Sequence, residues 1–158
     1  MATSIFLHLD GVTGNSNVEQ HVGDIQLDSA TYSGTNSVSI QPGRGAAVGK
    51  VSFGPLVATK NFDSTSQSLF LKMCKGTAIA TGRLFFFNAN TGPYLTVDFT
   101  NLRIIGIVTS SATEPVTDTI SLTYETILLT YRNQNPDGSL SQPTVAGWNL
   151  TTNSEIVP

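Results

Sequence analysis

The sequence predicts a mainly β fold, a closed or nearly closed barrel of two sheets with one short flanking α-helix at about residues 65–75. Three observations lead there. Apolar and polar residues alternate in short runs separated by Gly, Pro, Asn and Asp clusters, the pattern of half-buried strands and turns. Charged residues are only 12% of the chain, about half the usual ~25%, and Thr, Ser, Asn and Gly take their place, as on exposed strand faces. A single stretch, within residues 49–78, carries helical spacing. At 158 residues the chain is expected to be one domain, 1–158, with enough length for a real core.

The elements follow in order. Ile5, Leu7 and Leu9 alternate with Phe6 and His8 in a first strand ended by Asp10-Gly11. A second strand opens at Asp24 and runs to about Tyr32, with Ile25 and Leu27 inward. Ser33 to Asn36 reads as a turn, Ser37–Gln41 as a strand, and Gln41, Pro42, Gly43, Arg44, Gly45, Ala46, Ala47, Val48 and Gly49 as a small-residue, nearly uncharged loop. Lys50–Phe53 is a strand stopped by Pro55, which cannot donate to a ladder. Leu56–Phe62 is extended and leads into the helix.

Leu69, Phe70, Met73 and Cys74 give that helix one apolar face. Ser64 with Gln67 fits a capping box, with Ser66 as an equally good cap. Lys72 and Lys75 suit the negative end of the dipole, and Gly76 suits a left-handed C′ position. Arg83–Phe87 is bulky on both faces, as in a central strand, and Asn88–Pro93 is a hairpin-like turn. Leu95, Val97 and Phe99 point inward from the next strand, which Thr100-Asn101 breaks before another strand, Leu102–Thr109, flexed at Gly106. Ser110–Pro115 is loop, and Thr117–Arg132 is the longest strand candidate. Asn133–Gln142 is a turn, Val145–Leu150 a closing strand, and the last residues are expected to fray. The total is about eight or nine strands.

Composition excludes several function classes. A net charge of −3 argues against nucleic acid as the main partner, and a sparsely charged surface does little to repel its own copies. The lone Cys74 permits no intrachain disulfide and no thiolate metal cluster, and it is expected to be core packing. No run reaches the roughly 20 apolar residues of a membrane span, so no membrane insertion is expected. The N-terminus lacks a basic segment followed by an apolar one, so export, if it occurs, uses no secretory signal peptide. Gly43–Val51 resembles a phosphate loop only superficially: Arg44 stands where that pattern needs glycine and Val51 where it needs Ser or Thr. His8 reads as a surface or interface histidine, and with His21 the only other one a metal site is not expected. Asp10, Asp24, Asp28, Asp63 and Asp98 are scattered, with nothing pairing them as acid and base. The expectation is a non-enzyme with no catalytic residues, no cofactor and no metal.

Several segments together carry a family likeness. Gly49-Lys50-Val51, then Thr59-Lys60, Phe62-Asp63, a Ser/Thr-rich cap, the helix and Cys74-Lys75-Gly76 resemble the haemolysin-coregulated protein (Hcp) family, the inner-tube proteins of bacterial type VI secretion systems. Ile5–Ser16 resembles the family's opening strand and turn, with Asn15 where an acid is common. His21–Ile25 resembles the His-x-x-Glu/Asp-Ile segment that follows. Tyr94-Leu95 with the strand to Val108 and Ser110, the segment Thr119–Tyr131, and Gly147-Trp148-Asn149 fall in the family's order. Ala30 and Tyr32 stand where the family often has tryptophan, and Gln67 where proline is frequent.

The resemblance implies a barrel subunit that forms homohexameric rings with a wide channel. The rings stack into a tube that is expelled by a contracting sheath and carries or chaperones effectors. Its implied partners are copies of itself and the sheath, spike and effector proteins. Its implied route is from the bacterial cytoplasm to the extracellular space or target cell. By the same resemblance, Gln41–Gly49 is the segment that reaches the neighbouring ring. Two other readings stand beside it: a tail-tube protein of a related contractile injection machine, which shares the architecture, and a small ligand-binding β-barrel. The latter would need exposed aromatics beside Asp or Asn on loops, whereas Trp148, the only tryptophan, sits in a Gly-Trp-Asn strand context.

Overall fold

The computed structural model describes residues 3–19, 21–43, 45–88, 92–111 and 115–157. Among them the strands are β1 (Thr3–Leu9), β2 (Ile25–Leu27), β3 (Ser29–Thr31), β4 (Gly34–Gln41), β5 (Gly45–Phe53) and β6 (Leu56–Asn61). Helix α1 (Thr65–Lys75) follows, then β7 (Ile79–Asn88), β8 (Gly92–Ser110), β9 (Thr117–Thr123), β10 (Thr126–Tyr131), β11 (Thr144–Asn149) and β12 (Ser154–Ile156). The fold is mainly β with one short helix, as expected. The strand count is higher than expected because two expected strands are divided and the terminal residues Ser154–Ile156, expected to fray, pair with β11.

The larger sheet runs β12-β11-β10-β8-β7-β1-β2, and β9, β6 and β3 continue from β8 as a second sheet. All pairs are antiparallel. Strand β8 belongs to both sheets. Its first half pairs with β7 and β10, its second half, from Arg103, with β9. The change of sheet falls at Asn101, whose φ of 50° is the left-handed region that Asn tolerates better than most residues. The expected break at Thr100-Asn101 is therefore a bend in one continuous strand.

The opposite error occurs at Thr117–Arg132, expected as a single strand. Glu125 turns its N–H to the Thr100 carbonyl at 2.9 Å, so β9 stays in the second sheet and β10 crosses to the first. On the far side the expected Asp24–Tyr32 strand kinks at Asp28, whose N–H donates to Thr59 at 2.7 Å. β2 then pairs with β1, and β3 with β6. The wall thus passes β1-β7-β8-β9-β6 and returns through the kinked β2–β3 segment. Neither sheet closes on itself, and the barrel is nearly closed. The flexure expected at Gly106 is a register shift between Ile104 and Gly106.

Inward residues of both sheets make one core. Leu7, Leu9, Ile25, Leu84, Val97, Phe99 and Ile127 meet Leu56, Ala58, Leu102, Ile104, Ile120 and Leu122. Burying each such side chain contributes about 1.5–3 kcal/mol. Helix α1 packs against β8. Leu69 is fully buried and Met73 packs on the core, but Phe70, Leu71 and Cys74 are exposed, against the expected apolar face and the expected core role of Cys74. The inward stripe is instead Thr65, Ser66, Leu69 and Met73, narrower and half polar, because the helix covers a polar end of the core. At its C-terminus Gly76 is left-handed at φ 65°. Its N–H reaches Met73 and the Thr77 N–H reaches Lys72, the Schellman arrangement. Among the described residues no helix is long and apolar enough to cross a membrane.

Candidate assembly interface

Among the described residues, strands β4 and β5 pair only with each other, as a two-stranded sheet apart from the barrel. The segment expected as a loop after Gln41 is thus mostly strand. Gln41 ends β4, Pro42 and Gly43 lie at the tip, and Gly45 to Gly49 run back antiparallel, with Gly45 opposite Gln41. Gly43 and Gly45 have φ of 79° and 77°, which non-glycine residues seldom adopt. Arg44 and the side chains of Ala46, Ala47 and Val48 lie outside the described residues. The eight residues of β4 span about 26 Å at roughly 3.3 Å each, and every one is exposed.

Val38 is 53% and Ile40 79% exposed, on a strand with no ionisable side chain. The expected ring-contact segment, beginning at Gln41, left both out. Their alternation beside a nearly uncharged loop is the signal available, and it reads the same for a strand buried on one face.

The root of this arm is fastened to the core. Gly34 pairs with Phe53, and a Cβ on Gly34 would lie 3.1 Å from the Phe53 ring, so glycine permits the close approach. The Gly54 N–H donates to Ser33 at 2.9 Å, and the Tyr124 hydroxyl donates to the Gly54 carbonyl at 3.0 Å. The Tyr124 ring sits 4.8 Å from Phe99 and 6.4 Å from Phe53. Burial, with Tyr32 nearby, pushes the Tyr124 phenol up to about 12. Tyr124 therefore links arm to barrel as a neutral donor.

The helix is fastened by a buried charge. Lys60 on β6 is fully buried, and its Nζ donates to Ser66 at 2.8 Å and to Asp63 at 3.0 Å, with Asp118 of β9 at 3.5 Å. Ser66 donates to Asp118 at 2.5 Å, and Thr109 to its other oxygen at 2.8 Å. Neither expected cap forms as expected: Ser66 accepts from Lys60 and from the Asp63 N–H at 3.1 Å and donates to Asp118. Ser64 stands at the N-cap with no capping bond and donates to Asn15 at 2.7 Å, while Asp63 accepts the Thr65 N–H at 2.9 Å. Burial pushes the Asp63 carboxyl up, but hydrogen bonds from Thr65 and Lys60 outweigh it and hold the group below its usual 3.8. Lys60 shares the inward face of β6 with Leu56 and Ala58, a position that the alternation of Leu56–Asn61 marks.

The two histidines converge on one aspartate, a contact that the sequence reading does not foresee. Asp24 places one oxygen 2.8 Å from His8 Nδ1 and the other 3.1 Å from His21 Nδ1. His8 is exposed as expected, whereas His21 is buried and stacked 4.5 Å from Phe6. Phe6 is thereby buried on the outer face of β1, under the loop that carries His21.

The build is that of a nearly closed β-barrel with one helix packed against it and a separate two-stranded β arm whose first strand carries no charge. The chain belongs to the Hcp family, described as type VI secretion system effectors, whose model matches residues 6–131. A solved type six secretion system protein superposes with a TM-score of 0.93 at 23% identity, over 98% of this chain and 100% of its own. Hcp1 from Salmonella typhimurium superposes at 0.84 with 27% identity, over 99% and 100%, and Hcp2 from the same organism at 0.73 with 24%, over 96% and 99%. No curated protein matches the chain.

Proposed function

We propose that this chain is one structural domain, 1–158, that serves as a tube subunit of a bacterial type VI secretion system. Copies close hexameric rings, rings stack into the inner tube, and the expelled tube carries or chaperones effectors. Its partners are further copies of itself and the sheath, spike and effector proteins of that machine. It leaves the cytoplasm with the tube and needs no signal peptide. The work is associative and mechanical, without a bond made or broken.

The arm carries this reading. An isolated two-stranded ribbon is at best marginally stable in water, and this one keeps β4 wholly exposed with Val38 and Ile40 uncovered. A partner surface on an adjacent ring supplies what the ribbon lacks. Gln41–Gly49, extended by Val38 and Ile40, is the ring-contact segment. Cyclic symmetry makes each contact within a ring heterologous, one face of a subunit against a different face of the next. Light scattering and negative-stain microscopy of purified protein are expected to show hexameric rings. A monomer that persists at high concentration contradicts the reading.

A further inference from the structure

A cleft of about 420 Å³ opens where the arm leaves the barrel. It is lined by Asn36, Gly49, Val51 and Phe53 from the arm and by Trp148 and Asn153 from the β11–β12 end of the larger sheet. None of the six is ionisable, and the exposed lining is mostly apolar. Its size lies within the roughly 300–1,000 Å³ of ordinary binding pockets. Trp148, the only tryptophan in the chain, is half-buried there.

We propose that this cleft is the seat for the arm of a second copy, and that Val38 and Ile40 of the incoming arm fill it. The inference rests on the ring-stacking reading and names its receiving surface. Three features select the occupant. The cleft and β4 are both uncharged, so neither pays for stripping an ion of water on contact. The incoming residues are the two large apolar side chains of β4, both uncovered. The chain's own arm cannot serve, because β4 runs outward from the cleft wall and Ile40 stands about 13 Å beyond Asn36 at roughly 3.3 Å per residue. Each copy then offers an arm and receives one. A head-to-tail contact of this kind propagates along an axis.

The test uses full-length protein and pairs stack formation with quenching of Trp148 by acrylamide. Wild-type stacks are expected to shield Trp148 relative to single rings. Ile40→Asp and Val51→Lys each place an unpaired charge in the contact, and each is expected to raise the concentration at which stacks form by about tenfold or more. An equal mixture of the two variants is expected to restore stacking. The acidic arm of the Ile40→Asp variant then meets the basic cleft of the Val51→Lys variant, and the unchanged arm meets the unchanged cleft. Circular dichroism and ring size confirm that each variant is folded. If wild-type rings stack while Val51→Lys alters neither stacking nor Trp148 shielding, the seat lies elsewhere and the stacking reading survives. If wild-type rings form no stacks, both fail. A small molecule co-purifying in the cleft of unstacked rings overturns the proposal as well.

Discussion

The barrel and the arm are built from the same kind of sequence, short alternating strands rich in Thr, Ser and Gly, yet they are held in opposite ways. Barrel strands β1, β6, β7, β8 and β9 have strand neighbours on both sides, at least over part of their length, and a face on the core. The arm strands have one neighbour each, and β4 buries nothing. Strand propensity therefore does not decide where a strand sits. What separates the two regions is whether inward residues find a second layer. Beyond its root at Phe53, β4 finds none, which is why Val38 and Ile40 read as contact surface rather than core.

That contrast predicts a graded response to mutation. The largest effect on stability belongs to the barrel's buried charge. Lys60→Ala leaves Asp118 and Ser66 without their cation in a dry site and is expected to cost about 3–5 kcal/mol. Denaturant midpoints measure it, and a loss under about 1 kcal/mol contradicts the role given to Lys60 in holding α1.

The junction is expected to respond at an intermediate level. Tyr124→Phe removes the donor to the Gly54 carbonyl and is expected to cost about 1 kcal/mol. It also changes the pH profile. The Tyr124 phenol titrates near 12 in the folded chain and near 10 in the unfolded one, so the folded state holds its proton more tightly. Its contribution is fully present below pH 10 and is lost as pH rises toward 12. Tyr124→Phe is expected to flatten most of that alkaline decline, with the remainder belonging to Tyr32, which burial also raises. Unfolding curves between those limits with an unchanged slope in the variant would assign the decline to other groups.

Much of this contrast was legible beforehand, though unevenly. The expected helix at about residues 65–75 matches α1, and periodicity places the inward faces of β1, β2 and the first half of β8 correctly. It could not tell a bend from a break. Asn101 turns β8 without ending it, while Tyr124-Glu125, with no turn residue at all, moves the chain from one sheet to the other. Which sheet a strand joins depends on long-range pairing, and local alternation carries no record of that. The Lys60–Asp118 and His8–Asp24 contacts escape a local reading for the same reason, since those partners lie 58 and 16 residues apart. His21–Asp24 and Lys60–Asp63, by contrast, are three apart and lay within reach of it. Within the arm, Ser37–Gln41 and Lys50–Phe53 read as strands, but the stretch between them reads as loop, because its small residues signal turns as strongly as they allow close pairing.

The most direct test of the account removes the arm and keeps the barrel. Replacing Ser37–Val48 with a tight two-residue turn shortens the ribbon to its fastened root. An unfolding free energy within about 0.5 kcal/mol of wild type, intact single rings, and no stacks by sedimentation and microscopy are expected. Stacks that persist without the arm, or a barrel that unfolds with its loss, would contradict the division of labour between the two regions.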